Sequence, residues 1–361
     1  MQLYLHPTQH EALTANGQIL TRWSLTTNPA TILAQYSTTL GSLFRLLYDP
    51  GGRLHAYGGV TGSPDGTLFA MQQLQSRDAR DATGAVIEWR HWDDLTVARA
   101  SVIPQMHSET LSLAASPDGR WLVLGVGNPE RIFLLDWQTG ELVSHHAVVG
   151  YSTSGLAFDP TSTFLAAFSC HDNWGHCMLW RLEPAERFRA RPQGMQQGLQ
   201  NEWWAQDAPP DQVIGGAALS VVHWELDRAG IEWPYRDLAD TACQAVFSPD
   251  SRMIIFNPMN AGYSGFGLEL VVYEVASGKQ LWWTRSQEEP TGPFIVSPDG
   301  ATLLVPVRGS DLLVYRMEDG ELMQRLPTGL NDPIQAIAYD HDYDSVTLWL
   351  ATEGTLVQYQ P

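Results

Sequence analysis

Three things are scarce in this 361-residue sequence: cysteine, positive charge and long apolar stretches. It has 3 cysteines, an odd number, so we predict a reducing compartment and no disulfide framework. Its 21 lysines and arginines stand against 40 aspartates and glutamates, and the formal net charge of −19 disfavours nucleic acids and anionic membranes as partners. No apolar run approaches the roughly 20 residues that span a bilayer, and the first residues do not resemble a secretion signal. We therefore expect a cytoplasmic protein.

The sequence also lacks the short motifs that mark common enzymes and cofactor-binding proteins. It contains no nucleophile elbow, no phosphate-cradling glycine loop, no HExxH zinc motif and no dinucleotide-binding fingerprint. We predict no cofactor, and these absences favour a protein that is not an enzyme. They leave an enzyme open, because scattered histidines and acids can converge in a folded chain.

What the sequence does have is a short phrase that recurs along the chain. It reads Ser-Pro-Asp-Gly at 63–66, 116–119 and 297–300, and Ser-Pro-Asp-Ser at 248–251. Apolar residues flank these copies. Proline presets the backbone for a turn, aspartate bonds to the turn backbone, and glycine tolerates positive φ. The phrase therefore predicts a β-hairpin that is repeated as the unit of the fold.

A second marker gives the length of the repeat. An apolar run that ends in an aromatic residue recurs at intervals of about 45 residues. This period is typical of four short strands per propeller blade, and no sustained helical pattern competes with it. The clearest unit predicts strands at 111–115, 121–126, 131–137 and 141–148. The seven marker aromatics are Trp89, Trp137, Trp180, Trp224, Tyr273, Tyr315 and Tyr359.

These units resemble WD40-type β-propeller repeats in a divergent form, over about residues 55–360. The resemblance rests on the Ser-Pro-Asp-Gly turn, the aromatic at the end of the third strand and the glycine turn behind it. Two features depart from the family: the Trp-Asp pair is missing from the strand ends, where Asp136-Trp137 is reversed, and the Gly-His opening is absent. The buried hydrogen-bond network of the family is therefore not carried over to this chain.

Together these patterns predict an all-β fold, a seven-bladed β-propeller of four-stranded antiparallel blades, in one domain over residues 1–361. Eight blades is the alternative. The last unit ends with its third strand, so we expect an N-terminal strand from 1–40, such as 18–25 or 31–36, to complete it and close the ring. Residues 185–210 are either an irregular blade or an insertion. Because a closed ring needs no partner, we expect a monomer.

The connections between second and third strands, and between blades, meet at one end of a propeller, and partners usually bind there. Aromatic and acidic residues fall in these connections. We therefore predict a non-enzymatic scaffold that binds a protein or peptide through aromatic anchors and acids that steer its approach, and the negative charge is compatible with a basic partner. The alternatives are a propeller enzyme, lactonase-like or glycan-acting, and a lectin-like carbohydrate binder. The predicted partner-binding residues are Trp174, Asp172, Tyr263, Phe266, Trp203 and Glu288.

One segment combines the residue types that bind zinc. Cys170-His171 and His176-Cys177 flank a short loop, and pairs of cysteine and histidine are common zinc ligands. Their spacing matches no common zinc pattern, and neighbouring residues on a strand point to opposite faces. We therefore predict no metal, and His171 and His176 are the weak candidates for one.

Overall fold

The computed structural model of this chain is built of antiparallel β-sheets. The residues that it describes form six four-stranded sheets, one three-stranded sheet and one two-stranded hairpin. No helix among them is long and apolar enough to cross a membrane. The described residues are 2–16, 19–37, 45–48, 54–57, 60–62, 67–73, 84–104, 110–126, 131–147, 153–171, 174–184, 217–223, 244–257, 268–276, 279–342 and 345–359.

Each four-stranded sheet joins four strands that are consecutive in the chain. The first three sheets contain β1 (Gln2–Leu5), β2 (Glu11–Asn16), β3 (Ile19–Ser24) and β4 (Thr31–Ser37); β7 (Val60–Gly62), β8 (Leu68–Gln73), β9 (Gly84–His91) and β10 (Val97–Pro104); and β11 (Thr110–Ala115), β12 (Trp121–Val126), β13 (Arg131–Asp136) and β14 (Leu142–Ala147). The hairpin of β5 (Arg45–Tyr48) and β6 (Leu54–Tyr57) lies between the first and second sheets in the chain.

The remaining sheets follow the same order. They contain β15 (Thr153–Phe158), β16 (Phe164–His171), β17 (Trp174–Pro184) and β18 (Ala217–His223); β19 (Gln244–Phe247), β20 (Met253–Asn257), β21 (Glu269–Glu274) and β22 (Gln280–Arg285); and β23 (Ile295–Val296), β24 (Thr302–Val307), β25 (Asp311–Arg316) and β26 (Leu322–Pro327). The three-stranded sheet contains β27 (Ala336–Asp342), β28 (Ser345–Ala351) and β29 (Leu356–Tyr359).

The sheets are arranged in a ring, with their first strands on the inside. β1 contacts β7, and contacts between first strands continue through β11, β15, β19 and β23. The three-stranded sheet lies between the sixth sheet and the first, because Leu348 packs with Leu312 and β27 contacts β1. The hydrophobic cores lie between neighbouring sheets. This is a β-propeller with six four-stranded blades, numbered here in chain order, and the predicted all-β propeller is confirmed.

The predicted number of four-stranded blades, seven with eight as the alternative, is wrong, because the described residues form six four-stranded blades and one three-stranded sheet. The marker at Trp224 misled the count. It directly follows β18, the outer strand of the fourth blade, where a third strand was expected. Conversely, Trp23 lies on β3, the third strand of a first blade that the markers omitted. An apolar run with a terminal aromatic suits any half-buried strand, so it does not identify the third one. Trp224 and residues 185–210 lie outside the described residues.

The predicted N-terminal closing strand is also wrong, because that region forms β3 and β4 of a complete first blade. The turn between these two strands meets the outer edge of β29 instead. The Ala30 N–H donates to the Leu356 carbonyl over 2.8 Å. The Asn28 side-chain amide accepts from the Gln358 N–H and donates to the Gln358 carbonyl, each over 3.1 Å. Asn28 and Ala30 thus take hydrogen-bonding positions that a fourth strand would occupy.

The Ser-Pro-Asp turns of the third, fifth and sixth blades adopt the predicted hairpins, at the end of the propeller opposite the blade-to-blade connections. In the sixth blade the Ser297 hydroxyl donates to Asp299 over 2.5 Å and accepts the Thr302 N–H over 2.9 Å. The bond from this hydroxyl is the main reason that the pKa of Asp299 lies below its usual value. Neighbouring turns also bond to each other, since the Ser251 hydroxyl donates to Asp159 over 2.8 Å.

The turn between the third and fourth strands packs against the preceding blade, as the third and sixth blades show. In the sixth blade Gly320 lies against Trp282, whose indole N–H donates to the Met317 carbonyl over 2.7 Å. Gly320 has φ of +75°, and a Cβ atom there would lie 2.6 Å from Cε3 of Trp282. Gly140 of the third blade has φ of +74°, and a Cβ atom there would lie 3.2 Å from the ring of Trp89. Glycine is therefore favoured at both positions, because the backbone has positive φ and the neighbouring tryptophan ring leaves no room for a Cβ atom.

We expect Gly320→Ala to lower the free energy of unfolding by about 2–4 kcal/mol, because a left-handed alanine costs about 1 kcal/mol and overpacking about 1–3 kcal/mol. The matched control is Gly329→Ala, since Gly329 has φ of +73° and a Cβ atom there would have nothing within 4 Å. The control should lose only the backbone cost of about 1 kcal/mol. Urea unfolding measures both, and equal losses would contradict the packing role of Gly320.

Candidate functional site

The two candidate residues that the structure describes, Trp174 and Glu288, lie at one end of the propeller. Because the blades share one strand order, their connections from second to third strand and from blade to blade emerge at the same end, here called the loop face. The fourth and fifth blades are neighbours, since Leu179 and Phe247 pack in one core. The loop face of these blades therefore brings together the ends of β16 and β17, the ends of β20 and β21, and the connection from β22 to β23.

The candidate zinc segment is a tight hairpin rather than an open loop. β16 continues to His171, β17 begins at Trp174, and the backbone register pairs these two residues. His176 pairs with Ser169, and Cys177 pairs with Phe168. No cysteine or histidine of the segment is thus directly opposite another. The residues that the structure describes contain no group of three or more potential metal ligands.

Glu288 lies in the connection between the fifth and sixth blades and is held at both its backbone and its carboxylate. Its carbonyl accepts the N–H of Leu268, the residue before β21. Its two carboxylate oxygens accept from the Arg325 guanidinium over 2.7 and 3.1 Å. Arg325 also donates from Nε to Asp311 over 2.6 Å. This acid therefore occupies a defined position on the loop face and is 33% exposed at its side chain.

The neighbouring Glu289 extends the same arrangement. Its carboxylate lies 2.9 Å from the Arg308 guanidinium, and its carbonyl accepts the Arg308 N–H over 2.8 Å. The side chain of Arg308 is 77% exposed. The ion pairs at this end of the fifth and sixth blades involve five residues: Glu288, Glu289, Arg308, Asp311 and Arg325. The two carboxylates around Arg325 raise its pKa further, so its charge is permanent.

A second cluster lies at the start of β21, directly after segment 258–267. Glu269 is fully buried, and its carboxylate accepts the indole N–H of Trp283 on β22. Arg285 lies 3.7 Å from the same carboxylate and over the Trp283 ring, 5.9 Å from its centroid. Trp283 is 45% exposed, whereas its neighbour Trp282 is buried. An exposed ring is thus fixed at its polar edge by a buried acid.

Of the predicted partner-binding residues, the described part of the chain includes Trp174 and Glu288. Asp172, Trp203, Tyr263 and Phe266 lie outside the described residues. Leu268, which bonds to Glu288, directly follows the segment of the sequence that contains Tyr263 and Phe266.

The sequence reasoning missed the cations and the buried acid of this end. The available signal for Arg325 was its place as the one charged residue of the outer strand Leu322–Pro327. No signal in the sequence marked Glu269 as buried.

No protein-family model and no curated protein matches this chain.

We expect Arg325→Met to release the connection between the fifth and sixth blades, because it removes the only described bonds to the Glu288 carboxylate. Amide hydrogen exchange of residues 286–294 should become faster, while the free energy of unfolding should fall by no more than about 1 kcal/mol, since the pair is partly exposed.

Arg308→Met is the matched control, because Arg308 makes one side-chain bond to Glu289 and is more exposed. We expect little change in exchange of the same segment. Equal acceleration in the two variants would contradict the special role of Arg325.

Proposed function

We propose that this protein is a non-enzymatic scaffold whose loop face binds a basic protein or peptide. The observation that carries the proposal is the link between Glu288 and Leu268, the residue that follows segment 258–267 in the sequence. Arg325 holds the carboxylate of Glu288, and Leu268, next to the segment, donates to its carbonyl. An acid in a defined position therefore stands at the root of the segment that contains Tyr263 and Phe266.

The charge of the chain favours a basic partner. A net charge of −19 creates a negative potential that attracts cations over a distance of about one Debye length, roughly 8–10 Å in physiological salt. Charges of this kind mainly raise the rate of encounter, whereas buried aromatic anchors supply most of the affinity. Trp174, Tyr263 and Phe266 are the anchors in this proposal.

The proposal extends to the class and setting of the protein. We propose a divergent WD40-type repeat protein that acts as a monomer in the cytoplasm. The recurring Ser-Pro-Asp turns on a propeller ring support the class. The low cysteine content supports the reducing setting.

We expect Trp174→Ala/Tyr263→Ala to reduce capture of the partner from native lysate by about tenfold or more, because truncating one good anchor already costs about 2 kcal/mol. Capture is quantified by mass spectrometry at low and moderate salt. Moderate salt should weaken capture by the wild type, since screening reduces the attraction between acids and a basic partner.

The matched control is Leu322→Ala/Met323→Ala, which removes two exposed apolar side chains from the outer edge of the sixth blade, away from the loop face. This variant should capture the partner as the wild type does. Loss of capture in the control, or full capture by the Trp174/Tyr263 variant, would refute a loop-face site.

A further inference from the structure

One position recurs in the inner hairpin of five sheets. It is the residue that opens the turn between first and second strands, and its N–H donates to the carbonyl five residues later. The residues at this position are His6, Ser116, Asp159, Ser248 and Ser297. In each case the side chain accepts hydrogen bonds from backbone N–H groups of its own turn. The position therefore requires an acceptor, and the residue type varies.

The first blade fills this position with a titratable ring. Nδ1 of His6 accepts the N–H of Thr8 over 3.1 Å and the N–H of Gln9 over 2.9 Å. A backbone N–H can only donate, so Nδ1 must carry a lone pair and no proton. His6 is 4% exposed. A protonated imidazole carries a hydrogen on both nitrogens, so protonation removes this acceptor from a buried turn.

The serines and the aspartate of the other blades behave differently. A serine hydroxyl does not titrate, and Asp159 accepts through a carboxylate, from the Thr163 N–H over 2.7 Å and the Thr161 N–H over 3.1 Å. Histidine is the side chain whose ordinary pKa, about 6.5, lies closest to neutral pH, so the His6 turn is the one among these five that depends on an acceptor of this kind.

The His6 turn also supports the contact between the first and second blades. The ring of His6 packs edge-on against Trp92, with centroids 4.6 Å apart. The Trp92 indole donates to Glu11 over 2.7 Å, and Glu11 binds Arg22 through two hydrogen bonds of 2.7 and 3.0 Å. Arg22 in turn donates to the Asp93 carbonyl. A change in the turn therefore acts on the junction of two blades.

The first blade is also the blade that closes the ring, through Asn28 and Ala30 against β29. We propose that His6 is an acid-sensitive latch: its protonation opens the inner turn of the first blade and loosens the closure of the propeller. The turns at Ser116, Ser248 and Ser297, whose hydroxyl groups do not titrate, stay closed in the same pH range.

Glu11 is a charged group that interacts electrostatically with His6. Burial alone would raise the pKa of Glu11, but hydrogen bonds from Arg22 and Trp92 outweigh it and lower the pKa. Glu11 thus keeps its charge while a histidine titrates. Asp93 and Asp94 are exposed acids and His91 is an exposed imidazole at the neighbouring turn, and His10 is an exposed imidazole of the His6 turn itself. Because the closed turn excludes the protonated ring, stability is present above the histidine range and is lost as the pH falls through it.

The test is amide hydrogen exchange of residues 3–11, corrected for the intrinsic effect of pH. If only the open turn takes up the proton, the open population rises about tenfold at about pH 5.5, one unit below the ordinary histidine pKa of about 6.5. We expect that acceleration in the wild type. The turn at Ser116 should show none, and serves as the internal reference.

His6→Ser installs the residue of the third, fifth and sixth blades and should abolish the acceleration. His6→Asn, whose side-chain oxygen also accepts from a turn, serves the same purpose if the serine variant fails to fold. His10→Gln is the matched control, since His10 is exposed on the same turn, and it should keep the full response. The same response in wild type and His6→Ser, or its loss in His10→Gln, would overturn the proposal.

Discussion

Closure of the ring is the constraint on which the rest of the structure depends. Each sheet of a propeller packs against two neighbours, so the last sheet must meet the first. The last sheet here has three strands, and an open outer strand would leave N–H and carbonyl groups exposed for unwanted pairing. Asn28 and Ala30 cover the edge of β29, and Asn28 does so with partners 330 residues away. Behind these bonds Trp23 and Trp349 share one core.

What the sequence predicts well is the part of the fold that is encoded locally. A Ser-Pro-Asp turn forms from its own residues, as Ser297 and Asp299 do, so the hairpins and the all-β class follow from the repeat. The strand expected at 121–126 is found at Trp121–Val126. The closure of the ring is not encoded locally. No residue near Asn28 in the sequence indicates that its side-chain amide takes the place of a strand. The aromatic marker failed for a related reason: a pleated, half-buried strand accepts the same residues at any place in a blade.

The candidate site shows the same division. Its place on the loop face follows from strand order, and Glu288 lies there as expected. The ion pairing of Glu288 does not follow from the sequence, because its partner Arg325 lies 37 residues further along the chain and belongs to the next blade. A carboxylate bound by a guanidinium attracts a basic partner less than a free one does, but its position is defined. The buried Glu269 beneath Trp283 was equally invisible, since only the fold shows which acids lose water.

The turn-opening position shows how such a ring can vary without changing its fold. What the turn requires is a lone pair directed at backbone N–H groups, and serine, aspartate and histidine each supply one. Blades with the same backbone can therefore differ in how they respond to acid. The difference matters most where the ring is joined, because the second to fifth blades are each held by two complete four-stranded neighbours. His6 lies in the blade that faces the three-stranded sheet, so the chemistry of one side chain bears on the closure of the whole ring.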